Sequence, residues 1–326
     1  MFCSVIIPTI GRASLARAVE SVLSQAFDHA GFEVVVVNDS GRPLSPAAWQ
    51  QLPQVQVIHT NRRERSFARN SGAAVAFGQY LYFLDDDDWL LPGALSAFWE
   101  LAQTKPEAAW LHGGIQVVDE NGRLLGESNS GVQGRCLAQI MGGAWVPIQS
   151  SLIRTQEFFA VGGYNPFIRG TEDQDLCRQI AAIGPFANTV TAVACLFRGS
   201  DWQTSTDYGF AAEDTRRSRE DVVNQPGVFQ QMLASADSAY WRGRVVHVYL
   251  GLALWHLRRR RLAAAASRAS YSLAALLHSR RYLTSRPFRQ ALCDHHVPGS
   301  LHFIQIAWEQ EARQALPQPD EDRPSG

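Results

Sequence analysis

No apolar run in this sequence approaches the roughly 20 residues that a membrane-spanning helix needs. The nearest, at 245–257, is interrupted by His247 and His256. Cysteine is scarce and scattered: Cys3, Cys136, Cys177, Cys195 and Cys293 are odd in number, and no pair has metal-ligand spacing. That pattern argues against a zinc cluster or a disulfide framework and fits a reducing compartment. The opening residues, MFCSVIIPTIGR, show no basic stretch before the first apolar run. No signal peptide is expected, and the expected location is the cytoplasm. Lysine occurs once, as Lys105, so arginine carries nearly all of the positive charge. The formal net charge is -1, which excludes a polycation, and no nucleic-acid module is recognisable. Nucleic acid is therefore not an expected partner. No segment repeats.

What is present reads as globular. Hydrophobic residues make up 46% and charged residues 19% of 326, enough for one large domain or two modest ones. SVIIP at 4–8 is a strand candidate, followed by Leu15, Val19, Val22 and Leu23 at helical spacing. EVVVVNDS at 33–40 is continuously apolar before its polar end, as a strand covered on both faces should be. VQVIH at 55–59, a helix over 66–77 and a strand over 80–84 follow, and Pro92 suits the start of a helix through about residue 103. This alternation predicts an α/β fold: a mostly parallel sheet flanked by helices.

From 108 to about 197 the pattern changes. Asn121-Gly122 marks a hairpin turn between 109–118 and 123–126. Residues 148–153 and 187–197 are further strand candidates, with a short helix near 172–182. Past residue 215 helices dominate to about 290, and the tail PQPDEDRPSG is expected to be disordered.

The stretch YLYFLDDDDWLLP, at 80–92, sets four aspartates directly behind a greasy strand. Like charges so close repel, and burial raises the cost. In open α/β sheets ligands bind beyond the carboxyl ends of the strands. Thr9, the trio Asn38, Asp39 and Ser40, and the run Asp85 to Asp88 all occupy such ends. A hard divalent cation, Mg²⁺ or Mn²⁺, would make a carboxylate cluster stable there, completing its shell with water and phosphate oxygens. The plain alternative is a solvated acidic turn that caps the next helix.

SVIIPTIGR, VVVVNDS, SFARNSGAAVAFGQYLYFLDDDDWLLPGAL and VGGYNPFIRGTEDQDLCRQIA together resemble the family-2 glycosyltransferases of GT-A fold, in order and spacing, from residue 3 to about 200. The resemblance implies an inverting transfer of a sugar from a nucleotide-diphosphate donor, a UDP-sugar, to an acceptor hydroxyl. The setting it suggests is bacterial cell-surface polysaccharide or glycoconjugate synthesis. It implies that Pro8 and Thr9 line the nucleotide pocket and that Asp39 bonds the base. Asp85 and Asp86 would sit at the ribose and first phosphate, and Asp87 would hold Mn²⁺ or Mg²⁺. Asp88 and Trp89 would shape the turn. Arg69, in the ARN motif, stays open between a diphosphate contact and helix packing.

Thr171 followed by Gln174 reads as a capping box, which puts Glu172 and Asp173 in a first helical turn. Acids there commonly do no more than complement the helix dipole. The resemblance makes Asp173 the base, with Glu172 on the acceptor or orienting that base. Two positions depart from the family pattern. Asn38 stands where the first of two aspartates is usual, and no His follows the strand ending near Arg198, so a second protein metal ligand would fall to Asp201. A catalytically inactive scaffold remains an alternative. A sugar-phosphate nucleotidyltransferase is another, although PTIGRASLAR is not a glycine-rich phosphate loop.

The expected domains are a catalytic one over 1–215, a helical region over 216–314 and the tail at 315–326. The catalytic domain would divide into a nucleotide-sugar half to about 107 and an acceptor half from about 108. Between 240 and 290 there are eleven arginines and no acid. That segment is expected either to lie on an anionic membrane surface, meeting a sugar or lipid-linked acceptor, or to pack as a helical hairpin on the catalytic domain.

Overall fold

The structure, a computed structural model, describes residues 1–168, 170–198 and 208–293. Asp201 and the expected disordered tail lie outside them. The chain divides into two compact units; of the described residues, 1–198 and 217–235 form the first, and 208–216 and 236–293 the second.

The first unit runs β1 (Cys3–Thr9), α1 (Leu15–Leu23), β2 (Phe32–Asn38), β3 (Val55–His59), α2 (Arg65–Ala74), β4 (Tyr80–Phe83), β5 (Trp89–Leu90) and α3 (Ala94–Thr104). It continues through β6 (Trp110–Asp119), β7 (Leu124–Ser128), α4 (Leu137–Gly142), β8 (Ser151–Arg154), α5 (Thr155–Ala160), α6 (Glu172–Ile183) and β9 (Phe186–Arg198). Helices α7 (Tyr208–Val223) and α8 (Val228–Ala234) follow.

The sheet has the order β3-β2-β1-β4-β8-β6-β9-β5, with β7 paired to β6. Strands β1 to β4 are mutually parallel. β8 is antiparallel to both β4 and β6, which makes β6, and with it β9, point the same way as β1. Six of the nine strands therefore share one direction.

Both faces of the parallel half are covered, which explains its unbroken apolar runs. Val5, Ile7, Val34, Val36 and Tyr82 share a core with Leu15 and Val19 of α1 and with Leu95 and Phe98 of α3. The alternate residues face the other way. Ile6 and Val37 receive α2 at Gly72, where a Cβ would lie 2.5 Å from Ile6 Cγ2, so only glycine permits that approach. Phe83 meets Phe158 and Tyr164 at ring separations of 5.4 and 5.0 Å. Burial of each such side chain is worth about 1.5–3 kcal/mol.

Two local expectations change. Residues 148–153 do not form one strand: Ile148–Ser150 is a 3₁₀ turn and only Ser151–Arg154 pairs. α3 starts after Gly93, whose φ of 81° makes the entry turn, rather than at Pro92.

In the second unit α9 (Ser238–Arg258) packs with α10 (Leu262–His278) and α11 (Arg286–Cys293). Ser272 Oγ donates to Val246 O at 2.9 Å, and Tyr249 meets Tyr271. A Cβ on Gly243 would lie 2.5 Å from Phe288 O, so α9 and α11 cross there. Glu213 of α7 gathers three cations: Arg216 at 2.7 Å, His256 at 2.7 Å and Arg268 at 3.4 Å. Among the described residues no helix is long and apolar enough to cross a membrane.

Candidate active site

The ends of β1, β2 and β4 meet, as their parallel pairing requires. Asp39 N donates to Thr9 O at 2.8 Å. Thr9 Oγ1 donates to Asp86 Oδ2 at 2.5 Å and accepts from Gly11 N at 2.9 Å. Gly11 has φ +86°, and that turn brings Arg12 back over the acidic stretch. Arg12 Nη1 lies 2.9 Å from Asp86 Oδ1 and 2.8 Å from Asp87 Oδ2. Pro8, half-buried, stays in the strand opposite Val37.

Asp39 is buried and saturated from the loop after β3. Its Oδ1 accepts from Thr60 Oγ1 and Arg62 N, and its Oδ2 from Glu64 N, each at 2.7 Å. Burial alone would raise its pKa, but these hydrogen bonds carry it below the ordinary carboxylate range.

The aspartate run is fixed at both ends. β4 precedes it, and β5, paired antiparallel with β9 at Cys195 and Ala194, follows it. Carboxylate oxygens of Asp85, Asp87 and Asp88 lie within 4.8 Å of one another. Burial raises the pKa of Asp86, Asp87 and Asp88, and charge from Asp85 adds to the rise. Asp88 also accepts from Phe197 N at 2.9 Å. Asp85 moves the other way: burial would raise its pKa, but Arg69, with Gln149 and Arg65, brings it below the ordinary carboxylate value. These three crowded carboxylates, with the charge of Asp87 and Asp88 disfavoured, make an all-oxygen donor set suited to a hard divalent cation. The sequence expectation named Asp87 for the metal, with Asp201, outside the described residues, as a second ligand; the cluster sets Asp85 and Asp88 beside Asp87.

Arg69 is 3% exposed and lies between two elements distant in sequence. Its Nη2 donates to Asp85 Oδ1 at 2.7 Å and its Nη1 to Glu172 Oε1 at 3.1 Å. Burial works against its charge, and Asp85, Tyr164 and Glu172 more than offset it. Gln149 Nε2 also donates to Asp85, at 2.8 Å.

Glu172 and Asp173 open α6, but the capping box is not formed. Thr171 Oγ1 is buried without a hydrogen-bond partner. Gln174 instead accepts from Arg178 Nη2 at 2.9 Å, one turn further along the same helix face, where a buried guanidinium needs an acceptor. Glu172 Oε2 takes Gly170 N, and Asp173 Oδ1 takes Gln174 N. Asp173 is half-buried, and its pKa rises to about 6 through burial first and Glu172 second.

Arg12, Arg17 and Gln149 join these residues without having been singled out by sequence reasoning. Arg17 Nη2 donates to Asp87 O, and its guanidinium lies 3.8 Å from the Trp89 ring centroid. Arg12 and Arg17 did carry a signal, as cations immediately following the first strand end. Tyr164 is a core residue at 1% exposure.

The sequence model of the family described as Glycosyl transferase family 2 matches residues 4–160. Residues 4–160 are a family-2 glycosyltransferase domain. The putative colanic acid biosynthesis glycosyl transferase WcaA of Escherichia coli (strain K12) is 34% identical over 106 residues, 29% of this chain and 36% of that protein. The poly(ribitol-phosphate) beta-N-acetylglucosaminyltransferase TarP of Staphylococcus aureus (strain N315) is 32% identical over 98 residues, 28% of this chain and 30% of TarP. The match thus spans only about a third of each relative's length. The solved structure of S. aureus TarS 1-349 in complex with UDP-GlcNAc superposes with a TM-score of 0.57 at 15% identity, covering 98% of this chain and 93% of that one. At that identity the likeness shows the GT-A fold.

Proposed function

We propose that this chain transfers a sugar from a nucleoside diphosphate donor, a UDP-sugar, to an acceptor hydroxyl with inversion at the anomeric carbon. The observation that carries this reading is Arg69, which joins the acidic strand end to the helix bearing Glu172 and Asp173. Donor and acceptor functions need that juxtaposition, and a solvated capping turn does not.

Pro8, Thr9 and Asp39 form the nucleotide end. Asp39 would meet a base N–H, and the loop at 60–64 keeps its carboxylate ionised through Thr60 Oγ1 and the N–H groups of Arg62, Arg63 and Glu64. Asp85 and Asp86 lie toward ribose and phosphate. Asp87, with Asp85 and Asp88, would hold Mg²⁺ or Mn²⁺, which when bound neutralises charge on the leaving diphosphate. Asp173 accepts the acceptor's proton as its oxygen bonds the anomeric carbon and the bond to the diphosphate breaks, the electron pair leaving with the phosphate. Glu172, tied to Arg69 and Gly170 N, orients that helix turn.

Synthesis of a cell-surface polysaccharide or glycoconjugate, on a sugar or lipid-linked acceptor, is supported by the names of the colanic acid and poly(ribitol-phosphate) relatives. Five free cysteines, four of them buried, support a reducing, cytoplasmic setting. Hydrolysis assays over a panel of nucleotide sugars, with Mn²⁺ and with chelator, test the proposal. Release of UDP from one UDP-sugar, stimulated by Mn²⁺, is expected; absence of release from every donor would overturn it.

A further inference from the structure

Helix α10 turns an apolar stripe to solvent. Leu262, Ala266, Ala269, Leu273 and Leu277 recur at helical spacing and all are exposed, the three leucines at 66%, 57% and 62%. Apolar residues at such spacing ordinarily face a core. Here the buried positions on α10 are Ala265 and Ser272 instead. Leu250, Leu254 and Leu257 add exposed positions along α9.

The rim of the stripe is cationic. Exposed Arg258, Arg260 and Arg261 precede α10, and exposed Arg280 and Arg281 follow it. No Asp or Glu occurs between 240 and 290. Within the stripe's own helix, Arg268 is neutralised by Glu213, so positive charge collects at the two ends and the middle is apolar.

A second copy of this chain laid on the face would oppose two arginine rims with no acid from the segment between them, and like charges in juxtaposition are costly. An anionic lipid surface satisfies both features. The leucines enter the boundary between headgroups and acyl chains, while the arginines reach lipid phosphates on long stems. We propose that the second unit docks on an anionic bilayer surface through α10 and its arginine flanks. This rests on the second unit alone, so its failure would leave the sugar-transfer reading untouched.

The test is co-sedimentation of the full chain with phosphatidylcholine vesicles, with and without phosphatidylglycerol, at low and high salt. Each arginine near an anionic surface adds roughly fivefold in partition. The variant carrying Arg260→Glu, Arg261→Glu, Arg280→Glu and Arg281→Glu should bind at least ~100-fold more weakly. A variant with Leu262→Gln, Leu273→Gln and Leu277→Gln should keep only salt-sensitive binding. All these positions are exposed, and circular dichroism checks that helix content is retained. Wild-type binding that ignores phosphatidylglycerol, or is absent, overturns the proposal whatever the variants do. A dimer in sedimentation that the leucine variant converts to monomer, without vesicle binding, would assign the face to a second copy instead. Vesicle binding gained only after removal of residues 294–326 would assign it to that segment.

Discussion

Asp85 and Glu172, one at a strand end and the other in a helix's first turn, are held by the two terminal nitrogens of a single buried guanidinium, that of Arg69. The arrangement links the carboxylate cluster mechanically to the turn carrying Asp173. Removing the cation would leave half-buried Asp85 without its ion pair and buried Glu172 with only the exposed Arg65, at 3.3 Å.

Arg69→Met should therefore lower stability by about 3–5 kcal/mol, the usual range when one partner of a buried pair is removed. Urea denaturation measures it. Arg69→Lys should recover part of the stability but not the turnover, because an ammonium cannot span both acceptors as a planar fork does. An unchanged unfolding midpoint for Arg69→Met would mean that solvent or Arg65 already neutralises the pair.

Asp173 must be ionised to accept a proton. Burial and the neighbouring Glu172 place its pKa at about 6, so kcat/KM should be level above that pH and fall tenfold per unit below it. Asp173→Asn should reduce turnover by ~10²–10⁴-fold with donor affinity unchanged. Near-normal turnover would move the base to another group, beginning with Glu172.

Asp87→Ala should abolish the metal-dependent part of UDP binding in calorimetry, while the unfolding midpoint does not drop. The side chain belongs to a turn beyond the strand, with no apolar packing to lose. UDP binding indifferent to both the substitution and chelator would remove the metal from the mechanism.

Glu213 gives a prediction of different sign. Burial would raise its pKa, but hydrogen bonds from Arg216 and His256 and the charge of Arg216 and Arg268 bring it from 4.5 to about 2. A carboxylate depressed on folding stabilises the folded state above its unfolded pKa and loses that contribution as pH falls through the folded value. Glu213→Gln should thus cost about 1–2 kcal/mol near neutral pH. The gap from wild type should close between about pH 4.5 and 2, as followed by thermal denaturation across that range.

Much of this architecture was legible because period and chain order are local signals. EVVVVNDS announced a strand buried on both faces, and Thr9, Asp39 and the aspartate run announced converging strand ends. Contacts that depend on long-range closure were not legible. Nothing in the sequence says that Gln149 reaches Asp85, or that Arg12 folds back onto Asp86 and Asp87 through the positive φ of Gly11. The Thr171 cap failed for a similar reason: Gln174 had a better partner in Arg178, whose burial only the tertiary structure reveals. The two-residue β5 was invisible because Trp89 and Leu90 pair with a strand more than a hundred positions away.

That short strand has a further consequence. With β4 on one side and β5 on the other both hydrogen-bonded into one sheet, the acidic turn cannot splay open to separate its charges. Without a bound cation the repulsion persists, and it sits where substitution by a neutral amide would relieve it. Stability and activity should then oppose each other at this turn. A laboratory selection for heat resistance alone would be expected to accumulate Asn at Asp86, Asp87 or Asp88 early, returning sturdier proteins that no longer turn over.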